Sequence, residues 1–130
     1  MKEVIKELES YMYTIQIFDK DMAQDGDALH AYLVELTNIM ARANLVMAQY
    51  QREFRKAKRQ AYLNIAASQA ATQKYWAPSL AKDFVDAECN EVGYVFDLAE
   101  RLSRLCTHTI DAVRTIVSSL KSERQFAQYN

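Results

Sequence analysis

Two glycines and one proline in 130 residues leave this chain few places to turn. A fold of short strands needs a turn roughly every 8–12 residues, usually made by glycine, proline, asparagine or aspartate. Long helices are the remaining way to bury apolar surface. Half of the residues are hydrophobic and a quarter are charged, which suits a packed chain and not a disordered one. The length suits one domain, read here over residues 1–130.

Two breaks organise the sequence. Asp25-Gly26-Asp27 is a turn signal, with Asp27 placed to cap a following helix. At Ala77-Pro78-Ser79 the proline stops one helix, and Pro78 or Ser79 opens the next. Helices are predicted over about 2–18, 28–76 and 79–126.

The middle segment carries an apolar stripe at alternating steps of four and three. It runs through Leu29, Leu33, Leu36, Met40, Ala43, Met47, Tyr50, Phe54, Ala57 and Ala61, and then slips to Ile65, Ser68 and Thr72 among small alanines. The last segment repeats the pattern through Val85, Cys89, Val92, Phe96, Ala99, Leu102, Cys106, Ile110, Val113, Val117 and Leu120, with Gly93 inside it marking a bend or a close contact. A short link makes such helices adjacent and antiparallel. The expected architecture is all-α: a long antiparallel, coiled-coil-like hairpin with a shorter N-terminal helix packed on it through Val4, Leu8, Tyr11, Met12 and Ile15, giving a three-helix bundle. With the turn at Ala77-Pro78, facing residues should have numbers that add to about 156. Tyr32, Tyr62, Tyr75, Trp76, Tyr94 and Tyr129 fall off the stripes or at the ends, and homo-oligomerisation is the simplest use for them.

Neither a membrane span nor a signal peptide is read from the sequence, so a cytoplasmic location is expected. Cys89 and Cys106 on one straight helix would stand about 25 Å apart, too far for a disulfide, and are read as reduced, buried thiols.

Charge is unevenly distributed along the chain. Residues 1–27 hold three basic and seven acidic groups, residues 28–75 seven and two, and residues 76–130 six and eight. The basic excess concentrates in Arg52, Arg55, Lys56, Lys58 and Arg59. Under the expected pairing, Arg101 and Arg104 lie alongside them with Asp97 and Glu100, and Arg42 lies near Arg114. Arginine and lysine contact phosphates, and flanking tyrosines such as Tyr50 and Tyr62 stack on bases, so this belt is a candidate nucleic-acid or phosphate site. The competing reading is a solvated face zipped to Asp97, Glu100 and the acidic first segment. On the last helix Arg101, Arg104, His108, Asp111, Arg114, Thr115, Ser118 and Lys121 share one broad face. His108 and Asp111, one turn apart, have the spacing of a base–carboxylate pair or an anion site. Thr107 and Thr109 are the nearest hydroxyls, but no nucleophile is evidently activated. Asp27-x-x-His30 stands alone, without the second pair a di-metal bundle needs, and neither a phosphate loop nor zinc spacing occurs. No cofactor, no metal and no enzymatic activity are expected.

The run Ala99-Glu100-Arg101, then Thr107-His108, Asp111, Arg114-Thr115, Ser118 and Lys121 at helical spacing, resembles the C-terminal helix of uncharacterised small helical proteins encoded by phages and prophages of gut Bacteroidetes. Ala41-Arg42-Ala43-Asn44 adds to the likeness. It covers about a quarter of the chain. It implies a phage accessory protein working in the bacterial host cytoplasm, expressed beside DNA-metabolism genes, and it transfers no catalytic residues. Three roles follow as expectations. The first is an oligomeric helical protein that binds nucleic acid or another phosphate-bearing ligand through the basic belt. The second is a module that inhibits or modulates a host or defence protein. The third is a sponge that sequesters signalling nucleotides between subunits.

Overall fold

Asp25 begins the longest helix. Its Oδ1 accepts the backbone N–H groups of Asp27 at 3.1 Å and Ala28 at 3.3 Å, satisfying two donors that a helix start otherwise leaves open. The cap is therefore Asp25, not Asp27, and the helix starts two residues before the expected position. The computed structural model describes residues 1–16 and 24–129. Among them the chain is all-α, with four helices: α1 Lys2–Gln16, α2 Gly26–Thr72, α3 Pro78–Glu88 and α4 Asn90–Tyr129. The expected continuation of α1 through Ile17 and Phe18 lies outside the described residues.

α2 stops four residues short of Trp76. Gln73 takes a left-handed φ of 54°, and its N–H donates to the Gln69 carbonyl at 2.8 Å, closing the last turn. Ala77 is held extended (φ −59°, ψ 140°), as the residue before a proline prefers. Pro78 then opens α3 at the position where a missing N–H costs nothing. The third predicted helix is divided at Cys89 (φ −96°, ψ 1°) and extends beyond 126 to Tyr129. The backbone ladder carries through the break: Cys89 N–H donates to Val85 at 3.0 Å, and Gly93 N–H to Cys89 at 2.8 Å. The break is a local torsional departure, not a loop.

The chain divides into two compact units. The first is Met1–Asn44 with Leu98–Asn130. Its core takes Leu8 and Ile15 from α1, Leu29, Tyr32, Leu36, Ile39 and Ala43 from α2, and Leu98, Ala99, Leu102, Cys106, Ile110 and Val113 from α4. Tyr32 is a core residue and not a surface aromatic: it is 7% exposed, and its hydroxyl donates to the Ile15 carbonyl at 3.4 Å. Burial pushes the Cys106 thiol up to about 11, which leaves it protonated and unreactive near neutral pH.

α1 is tied to α2 by a two-pronged ion pair. Arg42 Nε donates to Glu7 Oε1 at 2.7 Å and Nη2 to Oε2 at 3.1 Å. Arg42 is thus neutralised by the acidic first segment instead of adding to positive charge near Arg114. The bond from Arg42 holds the Glu7 carboxyl below its ordinary 4.5. A lowered folded-state value means stability that is present above 4.5 and lost as pH falls through the folded value. Thermal melts at neutral pH and in acid should show the native chain losing more stability on acidification than Glu7→Gln. Equal losses would count against the pair.

The second unit is Leu45–Asp97. Ala61, Ile65, Val85 and Cys89 form its buried cluster, with Phe54, Ala57, Trp76, Ala81 and Phe84 packed against it. Trp76 meets Phe84 edge-on, ring centres 5.2 Å apart, and so belongs to this packing. Burial also raises the Cys89 thiol above its ordinary value, with Asp86 adding to the effect. Tyr62, Tyr75 and Tyr94 are exposed, whereas the Tyr129 side chain lies outside the described residues.

Helix register is read separately in each unit. In the first, the Ser103 hydroxyl donates to Asn44 Oδ1 at 2.7 Å, and the Thr107 hydroxyl meets Met40 Sδ at 3.6 Å. Four residues back along α2 is four forward along α4, so the two run antiparallel there. In the second, a Cβ on Gly93 would lie 3.3 Å from the Phe54 ring. In all three pairs the numbers add to 147, not 156. The early stop of α2 at Thr72 moves the turn toward lower numbers and accounts for most of that change.

Candidate nucleic-acid interface

Arg52, Arg55, Lys56, Lys58 and Arg59 lie on α2 in the second unit, and all five are exposed. At about 100° per residue, Arg52, Arg55, Lys56 and Arg59 share one arc, directed away from the side carrying Phe54, Ala57 and Ala61. Lys56 pairs with Glu53 at 3.6 Å across one turn, a solvent-exposed contact of small energetic weight. Arg52, Arg55, Lys58 and Arg59 make no ion pair with the described residues. The ion pair at Lys56 is with Glu53 of the same helix, not with the acidic residues that the competing reading named.

The register changes what stands opposite. Residues 52–59 face positions near 88–95, not 97–104. Arg101, Arg104, His108 and Arg114 belong to the first unit, where all four are exposed. Arg104 pairs with Glu100 one turn away. His108 and Asp111 are not hydrogen-bonded to each other; His108 instead borders a shallow apolar hollow of about 220 Å³ with Ala112 and Ile116. The Thr109 hydroxyl donates to the Leu105 carbonyl four residues back, and that of Thr107 is shared between the Ser103 carbonyl and Met40 Sδ.

Beside the basic arc, within the second unit, lies an open groove of about 450 Å³ lined by Gln51, Phe54, Arg55, Lys58, Gly93, Phe96 and Asp97. Its floor is apolar: Phe54 and Phe96 are half-buried, and the Phe54 ring packs so closely on Gly93 that a Cβ there would lie 3.3 Å from it. Arg55 and Lys58 come from α2, while Gly93, Phe96 and Asp97 come from α4. Sequence reasoning counted Phe54 and Phe96 as plain stripe residues, because only the true register brings Gly93 over Phe54. The glycine within an apolar stripe was the one available signal.

Among the described residues, no three His, Cys, Asp or Glu side chains converge to hold a metal ion, and no helix is long and apolar enough to cross a membrane. Comparison with protein-family models, curated proteins and solved structures finds no match to this chain.

Proposed function

We propose that this chain is a non-enzymatic, oligomeric helical accessory protein of the phage type that works in the bacterial cytoplasm. It binds nucleic acid or another phosphate-bearing ligand through residues 52–59. The observation that carries the reading is that Arg52, Arg55, Lys58 and Arg59 stand exposed on one side of a helix, without ion pairs to the described residues. An unpaired arginine has no acidic partner to surrender before it meets a phosphate. For the scaffold, the reading is a long antiparallel hairpin with α1 packed on it. The shared pairing sum in each unit supports this.

A second reading, a module that binds a host protein, is favoured by exposed Val34, Leu45, Tyr62, Leu63 and Leu80. The same residues support self-association.

The first reading is tested by anisotropy titrations of short DNA and RNA, single-stranded and duplex, across a salt series. Five phosphate contacts to a single strand should give a slope of log affinity against log salt of about −3.5. Absence of binding at about 50 mM salt would sink the reading and leave the protein-binding one.

A further inference from the structure

We infer that the groove beside the basic arc takes an unpaired nucleobase, so that the preferred ligand is a single strand and not a duplex. This rests on the phosphate-binding reading of residues 52–59 and names the ligand class of that site.

The argument starts from chemical content. The groove joins an aromatic floor, Phe54 and Phe96, to two cations without ion pairs to the described residues, Arg55 and Lys58, and one carboxylate, Asp97. A phosphate alone has no use for the aromatic floor. An apolar peptide has no use for the two cations. A nucleotide in an unpaired strand uses both, since its base has a flat π-face and its phosphate a charge. The volume, about 450 Å³, lies inside the range of small-ligand pockets, roughly 300–1,000 Å³.

Placement agrees with content. Arg55 lies both on the arc with Arg52 and Arg59 and on the groove wall. A strand whose phosphates follow the arc can turn one base inward at Arg55. A duplex cannot, because its bases are stacked on both faces and paired at their edges. Gly93 matters here because the Phe54 ring rests directly on it: a side chain there, its first carbon 3.3 Å from the ring, would push Phe54 out of its place in the floor. Asp97 repels phosphate but accepts a hydrogen bond from an exocyclic amine, so the groove favours cytosine or adenine over thymine or uracil.

The test uses the full chain and fluorescence anisotropy at one salt concentration. The probes are oligodeoxycytidine and oligothymidine strands of about 20 nucleotides, the duplex of the former, an abasic strand with the same number of phosphates, and oligocytidylate RNA. The base-bearing strand should bind at least about tenfold more tightly than the abasic strand and the duplex. Preference over the abasic strand with either sugar supports the groove, and the relative affinity of RNA and DNA shows which source it favours. Phe96→Leu keeps apolar bulk but loses the π-face; it should erase the preference while leaving the salt slope unchanged. Asp97→Asn, at an exposed position that does not threaten folding, should cut the preference for oligodeoxycytidine over oligothymidine by about fivefold. Equal binding of the strand, abasic strand and duplex overturns the inference and leaves the phosphate reading standing. A preference that survives in both variants also overturns it. No binding to any probe removes both.

Discussion

Replacing Arg52, Arg55 and Arg59 together by glutamate is expected to weaken nucleic-acid binding by about 500-fold or more at 50 mM salt. The figure follows from counterion release. Each phosphate contact to a single strand contributes about 0.7 to the salt slope, so at 50 mM it is worth about 0.9 of a decade in affinity. Three contacts give about 2.7 decades before any repulsion from the new carboxylates is counted. The fold should tolerate the change, because all three side chains are exposed and none is in an ion pair with the described residues; surface substitutions of this kind stay within about 0.5 kcal/mol each. The control is the equivalent triple change at Arg101, Arg104 and Arg114. These lie in the other unit, and Arg104 already has Glu100 as a partner. That variant should lose less than about tenfold. Equal losses in the two variants would show general charge attraction and no site at residues 52–59. An unchanged affinity in the first would remove the proposal.

Both the helices and much of the core could be read from the sequence, because burial follows a period that side-chain chemistry records directly. Leu29, Leu36, Ala43, Ala61, Leu102, Cys106, Ile110 and Val113 all fall on the expected stripes and are buried. Tyr32, Ile39, Val46, Val95 and Leu98 are buried as well, one column away from those stripes. A strict seven-residue template is narrower than the apolar face of a helix with two neighbours. α1 is that second neighbour in the first unit, where the Tyr32 hydroxyl reaches the Ile15 carbonyl.

The register was not legible, and the reason is local. α2 ends at a left-handed Gln73, where glycine or asparagine is the usual residue, so nothing in the composition of Gln73-Lys74-Tyr75-Trp76 marks the stop. An error of a few residues in a helix end changes every pairing beyond it. It moved Arg101 and Arg104 beside the basic run when they belong to the other unit, and it hid the meeting of Gly93 with Phe54. Charge clustering along one helix survives such an error. A site assembled from two helices does not.

The largest loss of stability should come from Leu102→Ala. Leu102 is fully buried in the first unit, on α4, in a core that also holds Leu36, Ala43 and Cys106. Removing a buried leucine side chain costs both its transfer energy and the cavity left behind, about 3–5 kcal/mol. That is a large part of the roughly 5–15 kcal/mol that holds a domain of this kind together. With a urea dependence of about 1.5 kcal/mol/M, the midpoint should fall by about 2–3 M. Leu63→Ala, the same chemical change at a position 52% exposed, should cost less than about 0.5 kcal/mol. The single tryptophan adds a second reading of the same experiment. Trp76 packs on Phe84 in the second unit, so its fluorescence follows that unit, while circular dichroism follows every helix. α2 and α4 each contribute residues to both units without interruption, so unfolding of one should disrupt helices that the other needs. The two signals in Leu102→Ala should therefore move together to the lower midpoint. A tryptophan transition left at its native position would mean that the units unfold independently, and the cost of the cavity would then be confined to the first.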